Sequence, residues 1–308
     1  MTQLKQQRDY FGDALLELAK TNSQVLALTA DLETSLKLTG FKEKFPERFF
    51  NVGVAEQNLI GVAAGLSLAG FLPFAASFAV FLPGRCFDQI RVSVCQNKAN
   101  VKLVGGHLGF SNSGDGASAQ SVEDIALMRS LPEMVVLCPF DGEETKEVVK
   151  AAAEYNGPVY LRISKSEVPA NLKYLISDIK YQIGGSRVLK EGKDLTVLSH
   201  GPILQEVINA AENFDVEVID AYSVKPLDKE TILKSAAKTG KVLVVEEHSI
   251  YGGLGSAASE LLAGKYPLPV KILGIPDVFG ESAGTREELL EKYGLNRNNI
   301  ARTIKEST

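Results

Sequence analysis

Cysteine is scarce in this sequence, and its spacing argues against two classes of protein. Only three cysteines occur among 308 residues, at Cys86, Cys95 and Cys138, and none forms a CxxC pair. A disulfide-stabilised domain or a zinc module needs more cysteines at closer spacing. We therefore expect buried free thiols in a reducing cytosol and no metal ligands from this chain.

Excess positive charge and long apolar runs are also missing. The sequence has 33 Lys and Arg against 38 Asp and Glu, without long charged runs, so it predicts no basic surface for nucleic acid. The N-terminus lacks the order of charge and hydrophobicity of a signal peptide. Glycines and a proline interrupt the most apolar window, Leu59 to Leu82, which indicates a buried helix and strand rather than a membrane span. We expect a soluble cytoplasmic protein that binds neither nucleic acid nor membranes.

Short apolar runs alternate with amphipathic stretches along the first half of the chain. Strands are predicted at Val25–Thr29, Phe49–Val52, Leu72–Ser77, Val101–Gly105, Val135–Cys138 and Val159–Ile163, and helices at Tyr10–Lys20, Glu56–Ala69, Cys86–Val94, Ser121–Ser130 and Gly142–Glu154. This alternation predicts an α/β fold with a mostly parallel sheet covered on both faces. Ligands in such folds bind beyond the carboxyl ends of the strands, so the loops after Asp31, Val52, Ser77 and Val104 are candidates.

The alternation stops between Val168 and Gly185 and then resumes. The second series predicts strands at Leu195–Ser199, Val216–Asp220, Lys241–Glu246 and Val270–Leu273, with helices at Ile203–Asn213, Lys229–Thr239 and Gly255–Ala263 between them. The total length also favours two domains. We predict a first domain over residues 1–170, a linker over 171–185 and a smaller α/β domain over 186–308.

Glu56, in NVGVAEQN, follows a predicted strand and starts a predicted helix. The helix dipole favours the charged carboxylate, whereas the apolar neighbours favour the protonated form, and the sequence does not decide between them. From these residues alone, an ordinary acidic residue in the first helical turn is the favoured interpretation.

A glycine-rich loop between a strand and a helix, VGGHLGFSNSGDGASAQSVEDIA, contains His107 and Asp115. Its small residues allow a ligand to approach the backbone closely. The loop is neither a P-loop nor a GxGxxG dinucleotide motif. Singly, His107 is an ordinary loop histidine and Asp115 a turn residue, but together they favour a binding site.

Several segments, taken in chain order, resemble the pyrimidine-binding domain of the transketolase family. They are Asp31 in LTADLETS, Glu56 in NVGVAEQN, Phe78 and Phe81 in SFAVFL, His107 and Asp115 in GHLGFSNSGDG, and Arg162 to Lys165 in RISK. The segments VEVIDAYSVKPLD and VLVVEEHSIYGGLGSA resemble the C-terminal domain of the same family. The likeness covers nearly the whole chain. Related patterns also occur in deoxyxylulose-phosphate synthase and in the β subunit of 2-oxo acid dehydrogenases.

The resemblance implies roles in binding thiamine diphosphate. It assigns Glu56 to hydrogen-bond the N1′ atom of the aminopyrimidine and to favour the imino form that removes the thiazolium C2 proton. This role displaces the ordinary interpretation of Glu56 given above. It assigns Phe78 and Phe81 to stack on the aminopyrimidine, and Asp31 to contact the cofactor.

Substrate contacts are implied at a second group of residues. In the family, the positions of His107 and Asp115 bind the substrate phosphate and a sugar hydroxyl, and His107 is expected to act in catalysis as well. Lys165 corresponds to an arginine that grips the phosphate, and Arg162 is a nearby alternative for the bidentate contact that a lysine cannot make.

Two positions depart from the family pattern. Ala119, in DGASAQ, stands where many members have a histidine near the reacting carbonyl, and Gly84 stands where many have a third aromatic residue. His200 and His248 each follow a predicted strand of the second domain, where a structural role is expected.

Full-length transketolases carry a preceding domain whose GDG…N motif holds Mg²⁺ and the cofactor diphosphate, and nothing like it occurs here. The resemblance therefore implies the C-terminal subunit of a split transketolase, which transfers a two-carbon ketol unit between sugar phosphates. A separate N-terminal subunit would bind the diphosphate and Mg²⁺, in an α2β2 assembly with self-association. Two alternatives stay open: the β subunit of a 2-oxo acid or acetoin dehydrogenase, and a non-catalytic assembly subunit.

Overall fold

Each predicted apolar run forms a strand in the computed structural model, which describes residues 5–167 and 181–308. The strands are β1 (Val25–Thr29), β2 (Phe49–Asn51), β3 (Leu72–Phe78), β4 (Lys102–Gly106), β5 (Val135–Leu137), β6 (Val159–Ile163), β7 (Arg187–Lys190), β8 (Thr196–Ser199), β9 (Glu217–Asp220), β10 (Ser223–Lys225), β11 (Val242–Ser249) and β12 (Val270–Ile275).

Most of the helices lie between successive strands. They are α1 (Gln7–Thr21), α2 (Thr39–Lys44), α3 (Glu56–Leu68), α4 (Leu82–Arg85), α5 (Phe87–Gln89), α6 (Asp124–Ser130), α7 (Gly142–Glu154), α8 (Leu204–Ala211), α9 (Lys229–Thr239), α10 (Leu254–Lys265), α11 (Arg286–Lys292) and α12 (Arg297–Ser307). Within the described residues, no helix is both long and apolar enough to cross a membrane.

The first sheet has the strand order β10-β5-β6-β4-β3-β1-β2. Its strands pair in parallel, except that β10 runs antiparallel to β5. Apolar side chains cover both faces: Leu26 and Leu28 of β1 pack on the side of α3 and α6, while Val25 and Ala27 pack on the side of α1 and α7. Burial on both faces explains why these strands appear in the sequence as continuous apolar runs.

The second sheet has the order β12-β11-β8-β9-β7, parallel except for β7 at one edge. The α/β class with two sheets is therefore confirmed. Part of the predicted linker, residues 171–180, lies outside the described residues, and Gly184 and Gly185 lie before β7. Strand β10 comes from the second half of the chain but joins the first sheet.

Two predicted helices differ from the structure. The segment Cys86–Val94 is divided into α5 and a π-helical turn at Ile90–Cys95. The helix expected from Ser121 begins at Asp124, because the Ser121 carbonyl accepts a hydrogen bond from the Gly109 amide and so belongs to a loop.

The three cysteines are free and buried, as expected. Burial raises the pKa of the Cys86 thiol to about 12 and that of the Cys95 thiol to about 11. Thiols with such high pKa values are chemically inert near neutral pH.

A buried polar layer joins the two halves of the chain. Arg162 pairs with Asp124 at 2.7 Å and also donates to the carbonyl of Glu247, which lies in the second half. The imidazole of His248 accepts from the Ala126 amide, and its other nitrogen lies 2.8 Å from the Ser249 carbonyl. His200 is also buried, so both histidines lie in the interior rather than in an open cleft.

A second buried cluster joins α7 to the second sheet. The Arg187 guanidinium donates to Glu144 at 2.9 Å and to Asp220 at 2.8 Å, and both carboxyl groups are buried. One cation faces two buried carboxyl groups, and each carboxyl group disfavours the charged form of the other. Burial, followed by the repulsion from Asp220, raises the pKa of Glu144, and burial also raises that of Asp220.

We predict that Asp220→Asn stabilises the protein increasingly as the pH rises from 5 to 8. A carboxyl group with a raised pKa binds more protons in the folded state than in the unfolded state, so its contribution to stability is lost as the pH rises. An asparagine amide is uncharged at every pH, so the variant lacks this loss. The difference from wild type should grow by roughly 1 kcal/mol, or about 2–4 °C in melting temperature.

Thermal melts at several pH values check this expectation, with the exposed Asp215 changed to Asn as the matched control. A constant difference between Asp220→Asn and wild type across this pH range would contradict the raised pKa of Asp220.

Candidate active site

The carboxyl ends of β1, β2, β3, β4 and β6 lie along one edge of the first sheet. Pairing of Thr29 with Ala76, and of Phe78 with Gly106, aligns the ends of β1, β3 and β4. Every site residue predicted from the sequence lies on, or shortly after, one of these strands. The edge is therefore where a ligand would meet them.

Glu56 is the first residue of α3, and a tight turn after β2 places it there. Gly53 has a φ of 74°, which glycine adopts without strain, and its amide donates to the Asn51 side chain. The Glu56 carboxylate is only 4% exposed. It accepts hydrogen bonds from the Ser77 hydroxyl at 3.4 Å and from the Arg85 guanidinium at 3.1 Å. A nearly buried carboxylate thus faces the sheet edge and is held by one cation.

Aromatic rings lie beside this carboxylate. Phe78 and Phe81 stack with centroids 5.7 Å apart and an angle of 22° between their planes. The Arg85 guanidinium carbon lies 4.2 Å from the centroid of Phe81. Phe78 in turn contacts the His107 ring at 4.0 Å. A continuous series of contacts therefore links Glu56 to His107 through Arg85 and the two phenylalanines.

His107 is buried directly after β4 with a φ of 60°. A non-glycine residue in this left-handed region costs roughly 1–3 kcal/mol, and such residues concentrate at functional sites. The Arg8 guanidinium, 3.3 Å away, can donate only to an unprotonated Nε2 atom. The ring proton then belongs on Nδ1, which has no hydrogen-bond partner among the described residues.

The pKa of His107 is lowered to about 3, first by burial and then by the positive charges of Arg8 and Lys165. The imidazole is therefore neutral at physiological pH. It can donate a hydrogen bond from Nδ1 and, being neutral, does not repel the positive charges of Arg8 and Lys165.

The remaining predicted residues border this series of contacts. Asp31, with a φ of 61°, is exposed at the end of β1 and exchanges hydrogen bonds with Asn51. Asp115 is exposed and accepts from Asn112 within the glycine-rich loop. Lys165 is half-buried after β6, where its amide bonds to the Ser111 hydroxyl. Of these three, Lys165 contributes a positive charge that helps to lower the pKa of His107.

The structure contradicts the suggested role of Arg162 in binding a substrate phosphate. Its side chain is 1% exposed and donates hydrogen bonds to Asp124 and to the carbonyls of Ser121 and Glu247. A guanidinium that is buried and paired inside the protein does not reach a ligand at the sheet edge. It instead helps to hold the two sheets together.

Sequence reasoning missed Arg8, Ser77 and Arg85. Arg8 comes from α1, far from the motifs in sequence, so only the fold brings it to His107. Ser77 is the first residue of the SFAVFL segment, and Arg85 follows that segment by three positions. A polar residue at the end of an otherwise apolar strand is the available signal for Ser77. Ala119 is buried, while Gly84 is exposed with open space around it.

Comparison with known proteins identifies both parts of the chain. Residues 5–171 match the family description "Transketolase, pyrimidine binding domain", and residues 184–300 match "Transketolase, C-terminal domain".

Several relatives match over nearly their full length. A Methanocaldococcus jannaschii protein named "Putative transketolase C-terminal section" is 42% identical over 98% of this chain and 96% of its own. A Clostridium sp. protein named as a 6-deoxy-6-sulfo-D-fructose transketolase subunit is 38% identical over 98% of this chain and 94% of its own. A solved structure described as "Split gene transketolase, inactive beta4 tetramer" is 46% identical, with a TM-score of 0.89 over 98% of both chains.

We predict that His107 does not titrate between pH 5 and 8. The chain contains three histidines, so the imidazole resonances are few in a carbon-edited NMR spectrum, and His107→Gln assigns one of them. Arg8→Met should raise the pKa of His107 because it removes one of the repelling charges. A His107 midpoint near its ordinary value of about 6.5 would contradict the described burial.

Proposed function

The chain belongs to the transketolase family as the C-terminal subunit of a split transketolase, and we propose that it transfers a two-carbon ketol unit between sugar phosphates. The family consists of thiamine-diphosphate-dependent transferases. One observation carries the proposal: Glu56, Phe78, Phe81 and His107 meet through a continuous series of contacts at the carboxyl edge of the sheet.

The residues present fit the pyrimidine half of thiamine diphosphate. A carboxylate that is nearly buried suits proton sharing with a ring nitrogen, and half-buried aromatic faces suit stacking on a flat heterocycle. When bound, thiamine diphosphate supplies the carbon nucleophile that carries the two-carbon unit. Glu56 would hold the proton at N1′, Phe78 and Phe81 would orient the ring, and Asp31 would border it.

The other end of the site suits a substrate phosphate. Arg8 and Lys165 place two positive charges around neutral His107, whose Nδ1 proton is free to donate. Charge-assisted hydrogen bonds of this kind are the ordinary means of holding a phosphate. Asp115, exposed in the adjacent loop, would accept from a sugar hydroxyl. Arg8, rather than Arg162, is thus the arginine proposed to contact the phosphate.

A partner subunit completes the proposed site. The relatives that match along their length are named as parts or subunits of transketolases, and a split transketolase implies a partner and an oligomer. We propose that an N-terminal subunit binds Mg²⁺ and the cofactor diphosphate, and that the active complex is α2β2 with contacts between copies of this chain. No group of three or more metal-ligating side chains occurs in the part of the chain that the structure describes.

We predict that Glu56→Gln lowers ketol transfer by about 10²–10⁴-fold in the complex of this chain with its diphosphate-binding subunit. Glutamine keeps the size of the side chain but cannot share a proton with N1′. Glu56→Asp should retain partial activity because its carboxylate is present on a shorter arm. The measurement is transfer from xylulose 5-phosphate to a phosphorylated aldose acceptor.

The matched control is Glu43→Gln, which removes an exposed carboxylate outside the site. Full activity of Glu56→Gln would indicate a non-catalytic assembly subunit. Acylation of a lipoyl domain, in place of ketol transfer, would indicate a 2-oxo acid dehydrogenase component. Ketol transfer by this chain without the second subunit would contradict the divided site.

A further inference from the structure

Arg85 contacts both groups that the pyrimidine ring would use. Its guanidinium donates to Glu56 at 3.1 Å, and its carbon lies 4.2 Å from the centroid of Phe81. The Arg85 guanidinium thus neutralises the buried Glu56 carboxylate and also covers one face of the Phe81 ring. No other cation pairs with Glu56 among the described residues.

The two ends of Arg85 differ in how firmly they are held. Its backbone carbonyl, at the end of α4, accepts from the Gln57 side chain of α3 at 2.9 Å. Its side chain is 47% exposed. The backbone is therefore tied to the site, while the guanidinium has room to turn away into solvent.

A buried carboxylate without a partner is costly, because the charge loses its hydration. In the free chain, Arg85 offsets this cost for Glu56. An aminopyrimidine offers the same combination of features, since it is planar, it stacks, and its ring nitrogen can share a proton with a carboxylate. The guanidinium and the aminopyrimidine ring cannot occupy the same face of Phe81 at the same time. They also cannot both bond to the same carboxylate oxygen of Glu56.

We propose that Arg85 is a placeholder for the aminopyrimidine ring: it occupies the position between Glu56 and Phe81 in the free chain, and the cofactor displaces it. This inference rests on the proposed function. The free chain is then largely in a closed arrangement, and the apparent affinity for the cofactor is reduced by the fraction of chains in which Arg85 has turned away. Arg85 therefore sets cofactor affinity without taking part in the transfer.

The test measures binding of thiamine diphosphate with Mg²⁺ to the complex of the two subunits, by calorimetry and by stopped-flow mixing. Arg85→Gln should tighten binding by about threefold to tenfold and raise the association rate, because the competing cation is gone. The matched control, Arg91→Gln, removes an exposed arginine six residues along the chain and should leave binding unchanged.

A second measurement checks the free chain. Arg85→Gln should lower the melting temperature of the ligand-free chain, because Glu56 loses its counter-ion, and should enlarge the stabilisation that the cofactor produces in the complex. In a Glu56→Gln background, Arg85→Gln should change cofactor affinity much less, because the ion pair between Arg85 and Glu56 is already absent.

Weaker or unchanged binding in Arg85→Gln would overturn the inference, because an arginine that stays with Glu56 in the loaded complex would support binding rather than oppose it. Failure of the proposed function is a separate result. In that case the wild-type complex binds no thiamine diphosphate, which removes the basis for both proposals.

Discussion

Parallel pairing of neighbouring strands is the constraint on which the rest of the site depends. It turns residues that are far apart in sequence into neighbours, because every strand of the central group ends at the same edge. Glu56 follows β2, the phenylalanines end and follow β3, His107 follows β4 and Lys165 follows β6. A slip between β3 and β4, where Ser77 pairs with Gly105, would separate the aromatic pair from His107. Apolar burial on both faces of these strands therefore fixes the geometry of the polar groups at their ends.

The second sheet supports the glycine-rich loop of the first. Glu247 accepts from the Phe110 amide at 2.8 Å, and the Glu281 carbonyl accepts from Gln120 at 2.8 Å. These bonds hold the loop that begins at His107 and contains Asp115. A chain segment rich in small residues would otherwise have many conformations, so its attachment to a second, rigid sheet limits the entropy that ligand binding must offset. The C-terminal domain thus holds the glycine-rich loop in place, and the proposed cofactor and substrate contacts come from the first domain.

The sequence predicted most of the central strands, because buried parallel strands leave continuous apolar runs such as Val159–Ile163. It also predicted the loops in which Glu56 and His107 lie, since their motifs are local. It did not predict β10, whose residues Ser223–Lys225 are few and partly polar and pair with a strand about 90 positions earlier. Helices α2, α11 and α12 were missed as well.

Site residues outside the motifs were less accessible to sequence reasoning. Arg8 reaches His107 only because α1 packs on the sheet. The burial of Arg162 depends on Glu247, 85 positions away, so nothing local distinguished it from a surface arginine. The pairing of Arg85 with Glu56 across 29 residues is equally a product of the tertiary structure.

The central claim is that this chain supplies the pyrimidine-binding half of a divided active site. A crystal structure of the chain with its diphosphate-binding subunit and thiamine diphosphate tests it most directly. We expect the Glu56 carboxylate at about 2.6–3.2 Å from the N1′ atom, with the ring against the Phe81 side chain where Arg85 lies in the free chain. A cofactor bound with its pyrimidine ring away from Glu56, or a complex whose site lies entirely in the other subunit, would contradict it.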